Sequence, residues 1–259
     1  MKCAAHLGVL QVLEELGVRP TMLAGSSMGA VIAAIYASGL DLQDAAERLC
    51  CIRMSDVFVG GLPVPGLNHG RRLHQLFTRL FGDQRIEDLR VPLLITACDL
   101  ISGATDWIDR GNLADALYAS CALPGLFAPL AIGEALLGDG CLSDPLPVSE
   151  LRNRGIRKVI GIHFPHTLGI GRRALLPLAL RSIDILLNGL SRQAYQSLDL
   201  SIQPAVGMRS GLLWNHRQTR RCIEAGREAA LQLSSELRCF RNDVEPGMAT
   251  QPLFGVIAP

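Results

Sequence analysis

The stretch LAGSSMGAVIAAIYASG, residues 23–39, ends a short apolar run in a Gly/Ser turn and continues through small apolar residues. Within it, Gly25-Ser26-Ser27-Met28-Gly29 fits G-x-S-x-G with Ser27 at the centre. A strand that reverses into a helix within a few residues forces its central residue into a strained backbone. Flanking glycines remove the Cβ atoms that would otherwise clash. Such strain lifts the serine Oγ out of the sheet and leaves the Met28 N–H at a helix N-terminus, aimed where an oxyanion would form. The same letters also describe a tight turn that only packs well or cradles a phosphate. The flanks favour the elbow: 21–24 reads as a buried strand, and 30–38 as a helix stopped by Gly39.

Outward from the turn, residues 6–16 carry apolar side chains at helical spacing, with Gly17 as the stop. The pattern predicts helices over 41–51, 71–81, 113–120, 175–198 and 219–237. Strands are expected over 91–98 (VPLLITAC), at Leu136 and Leu137 leading into GDG, over 159–164 and over 200–203. Residues 57–70 read as a Gly/Pro-rich loop, and 240–259 as an irregular tail. Helices alternating with doubly apolar strands predict an α/β fold, a three-layer α/β/α sandwich on a mostly parallel sheet. With no repeat and no long linker, one domain over 1–259 is expected.

Composition excludes several classes. Aromatics are 5%, too few for single-strand stacking platforms, and 25 Lys plus Arg against 24 Asp plus Glu give no nucleic-acid-binding field. No run approaches the roughly 18 apolar residues of a spanning helix. The opening MKCAAHLGVLQVLEELG lacks the core and cleavage site of a secretory signal, so a cytoplasmic placement is expected. The eight cysteines form no CxxC pair and read as reduced, buried hydrophobes rather than a metal site.

A serine hydroxyl needs a base within hydrogen-bond reach. Three histidines follow a candidate acid: His163, His166 and His216. His163, at a strand end, is the best of them for a triad. Ser27 nevertheless comes after one helix and one strand, too early for the α/β-hydrolase order. A desolvated carboxylate can replace imidazole. LLGDGCLSDPLPV offers Asp139 at a strand end, with Gly140 allowing a sharp turn, while Asp144 before Pro145 reads as shaping the loop.

Taken together, these blocks resemble the patatin-like phospholipase family. AAHLGVLQVLEELGVRPTMLAGSSMGAVIAAIYASG looks like its opening helix, nucleophile strand, elbow and following helix. ITACDLISGA, ASCALPGLFAPL and GDGCLSDPLPV look like its later blocks, and the likeness is good over about residues 1–165. The resemblance implies Ser27 as nucleophile and Asp139 as base, with Gly25, Met28 and Gly29 shaping the elbow and oxyanion site. It implies fatty-acyl ester hydrolysis of phospholipase A or lysophospholipase type, a substrate at or near a membrane surface, and no metal or organic cofactor. This sequence departs from the family twice. Cys141 stands where Gly or Ala usually follows D-G. Of the glycine-rich oxyanion loop only Lys2, at its basic position, and Cys3, at its last glycine, remain. The expectation is a start placed too far downstream, or a catalytically impaired or silent relative that binds lipid or a partner. A missing central strand also predicts poor stability and an exposed sheet edge.

Three further features have two readings each. Arg71, Arg72, Arg172, Arg173, Arg217, Arg220 and Arg221 would form a cationic rim for phosphate head groups or stand as solvated charges. The loop at 60–70 reads as a surface loop, or as a cover over an acyl pocket. LLPLALRSIDILLNGL, residues 175–190, reads as a core-packing helix, or as an acyl channel or membrane-facing surface.

Overall fold

The computed structural model describes residues 2–58, 70–164, 175–206, 215–241 and 254–258. Helix α1 (Ala4–Glu15) leads into strand β1 (Met22–Ser26), which turns into α2 (Met28–Ala37). Helices α3 (Leu42–Cys51), α4 (Met54–Val57) and α5 (Arg71–Phe81) precede β2 (Leu93–Asp99) and β3 (Thr105–Ile108). Helix α6 (Leu113–Cys121) is followed by β4 (Leu130–Ile132), β5 (Ala135–Asp139), α7 (Val148–Asn153) and β6 (Lys158–Ile162). The last elements are α8 (Leu175–Gln196), β7 (Leu200–Ile202), α9 (His216–Gln232), α10 (Ser234–Arg238) and β8 (Phe254–Ala258).

The strands lie in the order β4-β5-β2-β1-β8-β6-β7, with β3 also pairing with β2. Pairings β2–β1, β1–β8, β8–β6 and β6–β7 are parallel; those of β2 with β3 and β5, and of β4 with β5, are antiparallel. The sheet is therefore parallel through its centre with an antiparallel margin. Its core strands read as continuous apolar runs because both faces are covered. Leu23, Leu93, Ile95, Ile160 and Ile162 face a core shared with α1, α2, α3, α5, α6 and α9. Met22, Ala24, Leu94 and Val159 face the opposite core with α7 and the end of α8. This alternation along single strands is what produces three layers.

Two expectations need correction here. Residues 254–258 are not irregular: they form β8, inserted between β1 and β6, so β1 has a strand on both sides and no open edge. An apolar five-residue segment can satisfy its backbone groups on both flanks only in such a slot. The long apolar helix also does not bury all its large side chains. Ala194, Tyr195 and Leu198 pack on the α7-side core, whereas Ile185, Leu186 and Leu190 are 55%, 67% and 50% exposed. The loop at 60–69 lies outside the described residues.

One close approach fixes where the site sits. On α1, a Cβ at Gly8 would overlap the backbone of Ile223, and one at Gly226 of α9 would overlap Ala5. Glycine at both places lets the two helices touch backbone to backbone. That contact anchors α1, and Cys3, just before it, lies within electrostatic range of Cys121.

Candidate active site

Ser27 links β1 to α2 with φ 53° and ψ −132°, and among the described residues it is the one non-glycine with positive φ. Such backbone costs on the order of 1–3 kcal/mol and persists only where its surroundings hold it. Several contacts do so. A Cβ at Gly25 would overlap the Ala30 backbone, so strand and helix close tightly there. The Ser27 N–H donates to the Ser120 hydroxyl at 2.8 Å, and the buried Thr96 hydroxyl donates to the Gly25 carbonyl at 3.3 Å.

Asp139 ends β5, opposite Ala97 of β2, which in turn lies beside β1. A Cβ at Gly140 would overlap the Thr96 carbonyl, so only glycine lets the chain turn over β2 at that point. The result brings together two residues 112 positions apart: the Ser27 Oγ donates to Asp139 Oδ2 at 2.8 Å. The other carboxylate oxygen, Oδ1, accepts from the Cys141 N–H at 3.0 Å. Asp139 is 5% exposed, and burial raises its carboxyl to about 6, although the Cys141 N–H and the Ser27 hydroxyl favour the ionised form. It is a stronger base than a solvated aspartate, yet still ionised at neutral pH.

Thiols line the site. Burial pushes the Cys121 and Cys141 thiols well up, and the Asp139 charge adds to the effect. Cys121 also lies against Ser27 and within electrostatic range of Cys3. Cys3 immediately precedes α1 without a side-chain capping hydrogen bond, and burial raises its thiol to about 11. These neutral sulfurs give the carboxylate a weakly polar wall, the surroundings that raise a carboxyl pKa. Of the sequence-predicted residues, Ser27, Asp139, Gly140, Gly25 and Met28 fall at one place, with Gly29 in the first turn of α2 and Cys3 close by. Ser120 and Cys121 carried no assignment in the sequence. A serine and a cysteine ending an apolar helix look like ordinary packing residues, and only the meeting of α6 with the elbow distinguishes them.

The imidazoles are engaged elsewhere. His163 Nε2 lies 2.8 Å from the Ser201 Oγ and the ring stacks on Tyr195, while His216 opens α9 in solvent and His166 lies outside the described residues. Asp144 accepts from the Trp107 indole at 3.3 Å. Arg72 donates to the carbonyls of Ser55 and Phe58, and Arg220 lies against Cys50. Arg172 and Arg173 lie outside the described residues. Among the described residues, no three His, Cys, Asp or Glu side chains are placed to hold a metal ion.

The patatin-like phospholipase family model matches residues 1–152. The chain belongs to the patatin-like phospholipase family. It is 34% identical over 149 residues to an uncharacterized NTE family protein of Mycobacterium tuberculosis, covering 57% of this chain and 41% of that protein. A second such protein of that organism is 30% identical over 270 residues, covering 90% of this chain and 45% of its own length. Lysophospholipase NTE1 of Candida glabrata is 31% identical over 166 residues, covering 61% of this chain and 10% of that enzyme. The chain thus spans less than half the length of these curated relatives. Among solved structures, VipD from Legionella pneumophila shares the fold, with TM-score 0.53 at 15% identity over 91% of this chain and 65% of that one.

Loss of the Ser120 hydroxyl tests how the elbow is held. Ser120→Ala leaves the Ser27 N–H without its acceptor, which should cost about 1–3 kcal/mol of stability. Any ester turnover at Ser27 should fall about 10-fold or more as the hydroxyl loses its aim. Thermal melting and a drop in kcat with KM nearly constant would report the two effects separately.

Proposed function

We propose that this chain hydrolyses acyl esters of lipids, in the manner of a phospholipase A or lysophospholipase, through Ser27 as nucleophile and Asp139 as base. The observation that carries this reading is the hydrogen bond from the Ser27 Oγ to a buried carboxylate, made by a serine on a strained elbow. Membership of the patatin-like family and the lysophospholipase NTE1 relative support the choice of lipid esters.

In the first half-reaction the Oγ attacks the acyl carbonyl as its proton passes to Asp139. The oxyanion forms beside the Met28 N–H at the start of α2. The N-terminus of α1, entered at Cys3 within electrostatic range of Cys121, adds its dipole. Collapse expels the alcohol portion, which takes the proton back from Asp139 and leaves an acyl-serine. Water then attacks the acyl-serine as Asp139 accepts its proton, and the second collapse returns that proton to the Ser27 oxygen and releases the fatty acid. One carboxylate thus serves as base and acid in turn, which a pKa of about 6 suits.

A fluorophosphonate probe should label Ser27 in the full chain, and Ser27→Ala should remain unlabelled with its fold intact. Before labelling, the wild-type protein should release fatty acid from lysophosphatidylcholine, and neither Ser27→Ala nor the probe-labelled protein should. An unlabelled wild-type protein would instead support a silent relative that binds lipid or a partner without turnover.

A further inference from the structure

Helix α8 is built inside out over its middle turns. Ser191 is buried and Ala194 and Tyr195 pack on the core, which fixes the inward arc. Ile185, Leu186, Gly189 and Leu190 occupy positions i, i+1, i+4 and i+5, so they share the opposite arc. There the three large aliphatic side chains stand at least half exposed, side by side. Singly exposed leucines are ordinary, but a contiguous patch of this kind marks a contact surface.

What lies beside the patch identifies its occupant. Leu142 closes a groove of about 450 Å³ with Ile185, Leu186, Leu187, Gly189 and Leu190. Leu142 ends the short 3-10 turn Gly140–Leu142 that begins immediately after Asp139. The apolar surface is therefore continuous with the turn that carries the base. Arg192, one turn beyond Gly189 on the same side of the helix, stands exposed at the end of the aliphatic cluster. An aliphatic face with a cation at its edge matches acyl chains below a layer of phosphate head groups.

The geometry points to the outward arc of α8, together with Leu142, as the surface by which this protein lies on a lipid aggregate. This rests on the lipid-ester reading, since the surface would present the dyad to esters still seated in the aggregate. Contact there covers leucines that otherwise face water. It also shortens the path an ester travels to Ser27.

The test needs no turnover, so its outcome stands apart from the outcome of the hydrolysis assays. The full chain is sedimented with vesicles of phosphatidylcholine and phosphatidylglycerol, alongside Leu186→Ser and the triple variant Ile185→Ser, Leu186→Ser, Leu190→Ser. These side chains are already exposed, so the melting temperature should hold. Wild-type protein should co-sediment, Leu186→Ser should partition about 10-fold less, and the triple variant should stay in the supernatant. Leu231→Ser, an exposed leucine on α9, should bind like wild type. Vesicle binding unchanged in the triple variant, or absent from wild type, would overturn the proposal. A triple variant that turns a dimer into a monomer while still binding vesicles would assign the face to a second copy of the chain instead.

Discussion

Asp139→Asn is expected to reduce ester hydrolysis by about 10³-fold while making the folded protein more stable at neutral pH. The activity loss follows from the proposed roles: an amide cannot take the proton that the Ser27 Oγ gives up at 2.8 Å. The stability gain follows from burial. Asp139 rises from an ordinary 3.8 to about 6 in the folded state, so the native protein holds that proton more tightly than the unfolded chain does. Between those two values stability falls as pH rises, and above about 6 the ionised buried group costs on the order of 3 kcal/mol. Asparagine keeps the shape without the charge. Denaturant midpoints should therefore favour the variant by about 1–3 kcal/mol at pH 8, with the difference shrinking toward pH 4. Wild-type turnover should climb through about pH 6 as the carboxyl ionises. A flat profile across that range, or a variant less stable than wild type at pH 8, would count against Asp139 as the base.

The second large effect concerns β8. Val256 lies opposite Leu23 of β1 and Ile160 of β6, so its backbone sits in the middle of the sheet. Val256→Pro removes a donor from that ladder and adds a ring to a position with strands on both sides. The loss should be on the order of 4 kcal/mol, enough to leave much of the protein unfolded or aggregated. Ala131→Pro in β4, at the sheet margin opposite Leu136, should cost less than half as much. Comparing the two variants by circular dichroism and size-exclusion chromatography separates a central role for β8 from a general intolerance of proline.

Much of this molecule was legible in its sequence because the strongest signals are local. Helical spacing located α1, α5 and α9 to within a few residues, and the doubly apolar VPLLITAC located β2. The pairing of G-x-S-x-G with a later D-G placed Ser27 and Asp139 as candidates at one site, and their side chains meet. The rest depends on contacts that no short window contains. FGVIA is five residues behind a Pro/Gly-rich stretch, and nothing within it says that it enters between β1 and β6. Strands β3 and β4 are short and partly exposed, so they lack the apolar run that marks a central strand. Periodicity identified α8 as an apolar helix, but which arc meets the core is decided by the elements around it. The hydrogen bond from Ser27 to Ser120 is of the same kind, because it spans 93 positions.

Residues 22–26 and 254–258 are immediate neighbours in space although nearly the whole chain separates them. Contacts of such range form late, because the intervening loop must be closed before they return any stabilisation. On a ribosome the serine-bearing strand waits, with one flank unpaired, until residues 254–258 have followed it out. The interval between those two events is when this protein is most prone to self-association, and when a chaperone would have most to protect.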